Sequence, residues 1–184
     1  MTCIVASKIG KDGLIIGSDN IGSRIDGFIM PRNDKKIFEK DTLNGSHIVF
    51  TFSDSFRVIQ ILESFLELPS DEGIEPLTYI KGHVITNMIE VLSNNNYNTM
   101  ETNFEGMILY KNNIYYVGDD FQVDVCDDYY AIGIGMQLAL GSLYTSKALG
   151  TSSEVSVNLA LEVAERHNGF VRRPWDIRRI DANK

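Results

Sequence analysis

Cysteine is scarce: Cys3 and Cys126 are the only two in 184 residues, which excludes a disulfide framework, and neither has a partner at zinc-ligand spacing. His47, His83 and His167 are equally isolated and show no metal or triad spacing. No metal and no cofactor are therefore expected. Cations are also in deficit, with 17 Lys and Arg against 25 Asp and Glu and a net charge of -8, which argues against phosphate binding and excludes nucleic acid as a partner. No apolar run approaches the roughly 20 residues of a membrane span, so no membrane partner is expected, and the first residues lack a signal peptide's basic start, apolar stretch and cleavage site. A reducing, cytoplasmic location follows, with the mature chain expected to begin at Met1 or Thr2. Repeats, linkers and low-complexity segments are lacking too. What is present, 43% apolar and 23% charged residues, is ordinary globular usage at the length of one domain, so a single domain over 1–184 is expected.

The pattern along the chain alternates between strand and helix periods. Residues 2–7 and 14–17 flank a Gly10, Lys11, Asp12, Gly13 turn and read as an amino-terminal hairpin ending at Asp19 and Asn20. The stretch 20–33 is irregular or carries a short strand at 28–30. Strands are predicted at 35–40 and 47–52. From Asp54 the apolar positions Phe56, Ile59, Leu62, Phe65 and Leu66 recur at helical spacing, stopped by Pro69, and a second helix runs from Pro76 to about 93–96. Strands at 104–110 and 114–117 form a hairpin around Lys111, Asn112 and Asn113. Further strands are expected at 121–125 and 129–132, then helices at 136–148 and 153–166. Two runs of strands, each followed by a helix pair, predict an α+β fold: a four-layer αββα sandwich of two stacked antiparallel sheets flanked by helices.

Thr2 is the first residue with catalytic capacity. If Met1 is removed, it carries a hydroxyl and a free α-amine, and an amine with a pKa of about 7.7–8.0 can act as base for the hydroxyl of the same residue. Threonine is equally at home at the start of a strand. Asp19 ends the strand paired with the first one, and the chain returns at Lys35 and Lys36, so a carboxylate and an ammonium can converge near the amino terminus. There they would either tune the hydroxyl or form a surface ion pair of little energetic weight.

The ordered set Thr2, Cys3, Ile4, Val5; Asp12 to Asp19; Lys35, Lys36, Ile37, Phe38; and Tyr130 to Gly135 resembles the β-type proteasome pattern. The chain is similar to the amino-terminal nucleophile hydrolases of the proteasome superfamily, in particular the bacterial rings including the Anbu group, from residue 2 to about 165. The resemblance implies the αββα fold, Thr2 as nucleophile, and Asp19 and Lys36 as its charge partners. Lys36 is favoured over Lys35 because it directly precedes the apolar pair and adjacent strand residues face opposite ways. It further implies a threonine-type peptidase acting through an acyl-enzyme, a peptide or unfolded protein as substrate, a homo-oligomer such as a ring, and an unfoldase or activator as a further partner.

The sequence departs from that pattern at four places. Ile134 stands between Gly133 and Gly135 where the family has a serine, Asn168 and Val171 stand where many members have an aspartate and a serine, and the oxyanion glycine falls on Ser53 or Asp54. Asp54 at a helix start also reads as a cap. These departures keep open a catalytically silent scaffold or binding subunit, and an amidase or ligase using the same Thr2. Cys3 would be a nucleophile only after loss of both Met1 and Thr2, and reads as a buried thiol instead. The basic stretch 172–179, with Trp175, reads either as a partner contact or as a solvated end that docks its tryptophan.

Overall fold

A computed structural model describes residues 2–23, 26, 28–31, 34–100 and 104–182. Met1 and positions 24, 25, 27, 32 and 33 of the stretch 20–33 lie outside the described residues. β1 (Ile4–Lys8) and β2 (Gly13–Asp19) form the amino-terminal hairpin, and β3 (Ile21–Ser23) pairs with β4 (Ile29–Pro31). Next come β5 (Ile37–Asp41), β6 (His47–Phe52) and α1 (Phe56–Phe65). α2 (Pro76–Tyr79) continues through a π-helical turn (Ile80–Val84) into α3 (Ile85–Asn94). The remaining elements are β7 (Gly106–Tyr110), β8 (Asn113–Val117), β9 (Val123–Cys126), β10 (Tyr129–Ile132), α4 (Met136–Ala148), α5 (Ser153–His167) and β11 (Trp175–Asp181).

Two larger antiparallel sheets result, in the orders β10-β1-β2-β11 and β5-β6-β7-β8-β9. The two-residue period of the strands decides how they stack. Ile4, Ala6, Leu14 and Ile16 on one face of the first sheet pack against Ile37, Val49, Met107, Leu109 and Ile114 of the second. On the opposite face of the first sheet, Cys3, Val5 and Ile15 pack under Ala139 and Leu143 of α4 and Val157, Ala160, Leu161 and Ala164 of α5. The outer face of the second sheet, with Phe38, Ile48, Phe50 and Phe52, is covered by Val58, Ile61 and Leu62 of α1 and by Met88 and Leu92 of α3. The layers are therefore helix, sheet, sheet, helix, as the strand and helix order predicts.

Three local expectations change. The carboxy-terminal basic stretch docks its tryptophan against the core under α5, but as a strand rather than a solvated end: β11 pairs with β2 along its whole length, from Trp175 opposite Asp19 to Asp181 opposite Gly13. Its arginines are engaged within the chain, Arg173 with Glu162 and Glu165, and Arg178 with Asp176 and Glu39. The second helix is interrupted by the π-turn, which lets Tyr79 and Ile80 share the buried face with Val84, Ile85 and Met88. The cap of α1 is Ser55, whose Oγ accepts from Val58 N, and not Asp54. Asp54 has a left-handed φ of 66° and its carboxylate accepts from Ser53 Oγ instead.

Opposite the hairpin turn of β7 and β8, a buried carboxylate ties three loops together. Asp71 accepts from Ser46 Oγ at 2.9 Å, Thr42 Oγ1 at 3.2 Å and the Tyr110 hydroxyl, and pairs with Lys111 Nζ at 2.7 Å. Burial alone would raise its pKa, but the bonds from Lys111, Tyr110 and Ser46 outweigh it and hold the carboxyl well below its usual range.

Candidate active site

The site assembles where the central hairpin of the first sheet meets the start of the second sheet. Thr2 leads into β1, and β1 is flanked on both sides, by β2 and by β10. Asp19, the last residue of β2, is fixed beside it by its own N–H, which donates to Cys3 O at 3.2 Å. Lys36 lies one residue before β5, so the strand begins later than expected, at Ile37. Its side chain is buried whereas Lys35 is exposed.

Thr2, Asp19 and Lys36 converge on one point, each 2% exposed or less. Lys36 Nζ donates to Thr2 Oγ1 at 2.5 Å and stands 3.0 Å from Asp19 Oδ1. The Thr2 hydroxyl donates in turn to Asp19 Oδ1, which also accepts from Cys3 N at 2.8 Å. One carboxylate oxygen thus orients both the hydroxyl and the ammonium. Burial pushes the Lys36 ammonium below its ordinary value, against the opposing charge and hydrogen bond of Asp19. An ammonium so placed stabilises negative charge on the hydroxyl oxygen, and its lowered pKa brings the neutral amine within closer reach as a proton acceptor.

Cys3 points the other way, into the core beneath α5. Burial, and then the charge of Asp19, push its thiol up to about 12, so it is protonated and inert at neutral pH.

The turn that follows β10 closes over the Thr2 backbone. Gly135 N donates to Thr2 O at 3.2 Å. At Gly133 (φ 85°) a side chain would place its first carbon 2.5 Å from Thr2 O and 2.9 Å from Thr2 Cγ2, so only glycine fits the conformation and the space. Ile134 between them is 42% exposed, and its carbonyl accepts from Asn168 Nδ2 at 3.2 Å. Val171 is buried in the core under the helices. Of the two positions expected for the oxyanion, Ser53 N is bound to Glu105 O at 2.8 Å, and the left-handed backbone at Asp54 is the one that adopts a glycine-like conformation.

A cavity of about 120 Å³ opens in front of this group. Thr2 and Lys36 lie in its wall, together with Met30 of β4, Phe52 of β6, and Phe56 and Ile59 of α1. Among the described residues no cluster of three or more His, Cys, Asp or Glu could hold a metal ion, and no helix is long and apolar enough to cross a membrane. Sequence reasoning missed Glu105 and Asp71, since neither belongs to any periodic or motif pattern.

By sequence, no family model and no curated protein matches the chain. By structure, it is similar to Thiobacillus denitrificans BPH, with a TM-score of 0.78 at 17% identity over 98% of both chains. For the same protein in complex with epoxomicin the TM-score is 0.75 at 20% identity, over 97% of this chain and 98% of that one. Eukaryotic HslV from Trypanosoma brucei gives a TM-score of 0.70 at 16% identity, over 98% and 99%. Anbu from Pseudomonas aeruginosa, seen in a helical assembly, gives 0.69 at 16% identity, over 98% and 81%. With two facing antiparallel sheets between helix layers and the near-complete overlap with BPH and HslV, this chain has the proteasome-like fold of the amino-terminal nucleophile hydrolases.

Proposed function

We propose that the chain is a threonine-type peptidase in which Thr2, exposed by removal of Met1, is the nucleophile. The observation that carries the reading is the buried contact of Thr2 Oγ1 with both Lys36 Nζ and Asp19 Oδ1 beside an open cavity. Thr2 Oγ attacks the substrate carbonyl, the hydroxyl proton passes to the freed α-amine, and the leaving amine takes it up. Water then releases the acyl group from Thr2. Lys36 offsets negative charge on Oγ, and Asp19 holds Lys36 and the hydroxyl in register. Met30, Phe52, Phe56 and Ile59 give the cavity an apolar side and Ser23, Asp54 and Ser55 a polar one, and its size suits one side chain next to the scissile bond, well below the roughly 300 Å³ of a drug-sized pocket.

The neighbour that binds epoxomicin and the neighbour seen in a helical assembly support a peptide-like ligand and self-association for this chain as well. We place the whole chain in one domain, in the cytoplasm, acting on peptide or unfolded protein as a homo-oligomer, with an unfoldase or activator as a further partner. Thr2→Ala tests the reading. Turnover of a fluorogenic peptide cleaved by the natural chain is expected to fall to background in this variant, and survival of that turnover would end it.

A second reading, a catalytically silent subunit, is favoured by one specific observation. Ile134 and Val171, standing where the family has hydroxyl groups, can exchange no proton, and one is turned outward while the other is buried in the core. Failure of any peptide or electrophile to react at Thr2 after Met1 loss would support it.

A further inference from the structure

We propose that Glu105 is a positioning residue for the Thr2 site, bracing from one sheet the turn that clamps the nucleophile from the other. The inference rests on the reading of Thr2 as the nucleophile.

Glu105 immediately precedes β7 in the five-stranded sheet. Its backbone carbonyl accepts from Ser53 N at 2.8 Å, which anchors the chain just ahead of α1. Its side chain reaches across to the four-stranded sheet, where Oε2 accepts from Gly133 N at 3.2 Å, and Oε1 accepts from the Tyr116 hydroxyl at 3.4 Å. One residue therefore touches both walls of the site, the Ser53 and Asp54 corner on one side and the 133–135 turn on the other.

That turn has no slack. Gly135 N holds Thr2 O, and at Gly133 even one added carbon would collide with Thr2 O and Cγ2. Asn168 Nδ2 binds the same turn at Ile134 O. The turn is thus held by a carboxylate at Gly133 and by an amide at Ile134, and Thr2 lies against it. A carboxylate acceptor makes a stronger bond to a backbone N–H than a neutral group does. Movement of the turn would shift the Thr2 backbone relative to Asp19 and Lys36, and an error near 1 Å in such a constellation costs about a hundredfold in rate. In this chain, where Ile134 replaces a polar residue in the turn, the support comes from Glu105 and Asn168 rather than from the turn's own side chain.

The experiment compares the natural chain with Glu105→Gln, which keeps an acceptor oxygen, and Glu105→Met, which keeps the length and removes the acceptor. Two readouts are taken: amide hydrogen exchange of Gly133, and the rate and half-saturation of Thr2 labelling by a β-lactone. Glu105→Met is expected to lose Gly133 protection and to label about tenfold or more slowly at saturating probe with unchanged half-saturation. Glu105→Gln is expected to restore both to within about threefold, since its carbonyl oxygen can accept the same hydrogen bond. Gly133 protection unchanged in Glu105→Met would overturn the proposal, as would a Glu105→Gln variant with as little Gly133 protection as Glu105→Met. If Glu105→Met does not fold, Glu105→Ala takes its place, with loss of Gly133 protection and slowed labelling expected, and unchanged Gly133 protection overturning the proposal. Absence of labelling in the natural chain would instead refute the nucleophile reading, while Gly133 exchange would still decide the bracing by Glu105.

Discussion

Lys36→Met slows covalent labelling of Thr2 by a β-lactone by about 10³-fold, the scale of losing one general base or one charge-stabilising group from a closed site. The ammonium is the group that donates to Thr2 Oγ1, at 2.5 Å, and it is 2% exposed, so water cannot take its place. The same substitution strands the Asp19 carboxylate, which is fully buried, without its cation. Breaking a buried pair from one side costs roughly 3–5 kcal/mol of stability. The two effects are separable, because Asp19→Asn combined with Lys36→Met removes both charges. That double variant is expected to regain most of the lost stability and none of the labelling, read by thermal melting and intact mass. Labelling of the double variant at the natural rate would remove Lys36 from the mechanism. The pH dependence has a definite sign. Burial holds the Lys36 pKa below 10.5 in the native chain, so between the native value and 10.5 the unfolded chain binds more protons here, and this group's contribution to stability rises with pH across that window.

Asp71→Asn lowers stability at pH 7 by roughly 3 kcal/mol, from the loss of charge-assisted bonds to Lys111 and Tyr110 at a buried position. For a chain of this length that lowers Tm by roughly 6–12 °C. Asp71 binds Ser46 at one end of β6, whereas Phe52 at its other end lines the cavity at Thr2, so labelling of Thr2 below the melting range is expected to be unchanged. The carboxyl is held below its ordinary 3.8, so the native chain binds fewer protons here than the unfolded one. The contribution is fully present above about pH 4 and is lost as pH falls from 3.8 through the depressed native value. A melting temperature equal to that of the natural chain at pH 7 would contradict this account of the cluster.

Strands and helices with a clean period are legible from the residues alone. His47–Phe52, Tyr129–Ile132 and Met136–Ala148 fall where the apolar pattern puts them. β11 is not legible, because Trp175, Ile177 and Ile180 are interspersed with four charged residues and the strand is an edge whose side chains are only half-buried. Its pairing with β2 comes from tertiary structure, which overrides a composition that reads as a basic tail. The start of α1 is a similar case. Both Asp54 and Ser55 can cap a helix, and the left-handed backbone at Asp54 decides for Ser55. The hairpin alone lets Asp19 and Lys35 or Lys36 converge near Thr2, but the catalytic reading of that convergence over a plain ion pair comes from the ordered family pattern. Glu105 and Asp71 carry no such pattern, and only the packing of the two sheets and their loops brings them to their partners.

The intact mass of untagged protein before and after exposure to a β-lactone, with peptide mapping of the adduct, decides whether Thr2 is an amino-terminal nucleophile. The expected result is a chain without Met1 that gains one adduct, mapped to Thr2 and absent from Thr2→Ala. Retained Met1, or a chain lacking Met1 that gains no adduct at Thr2, would contradict that role.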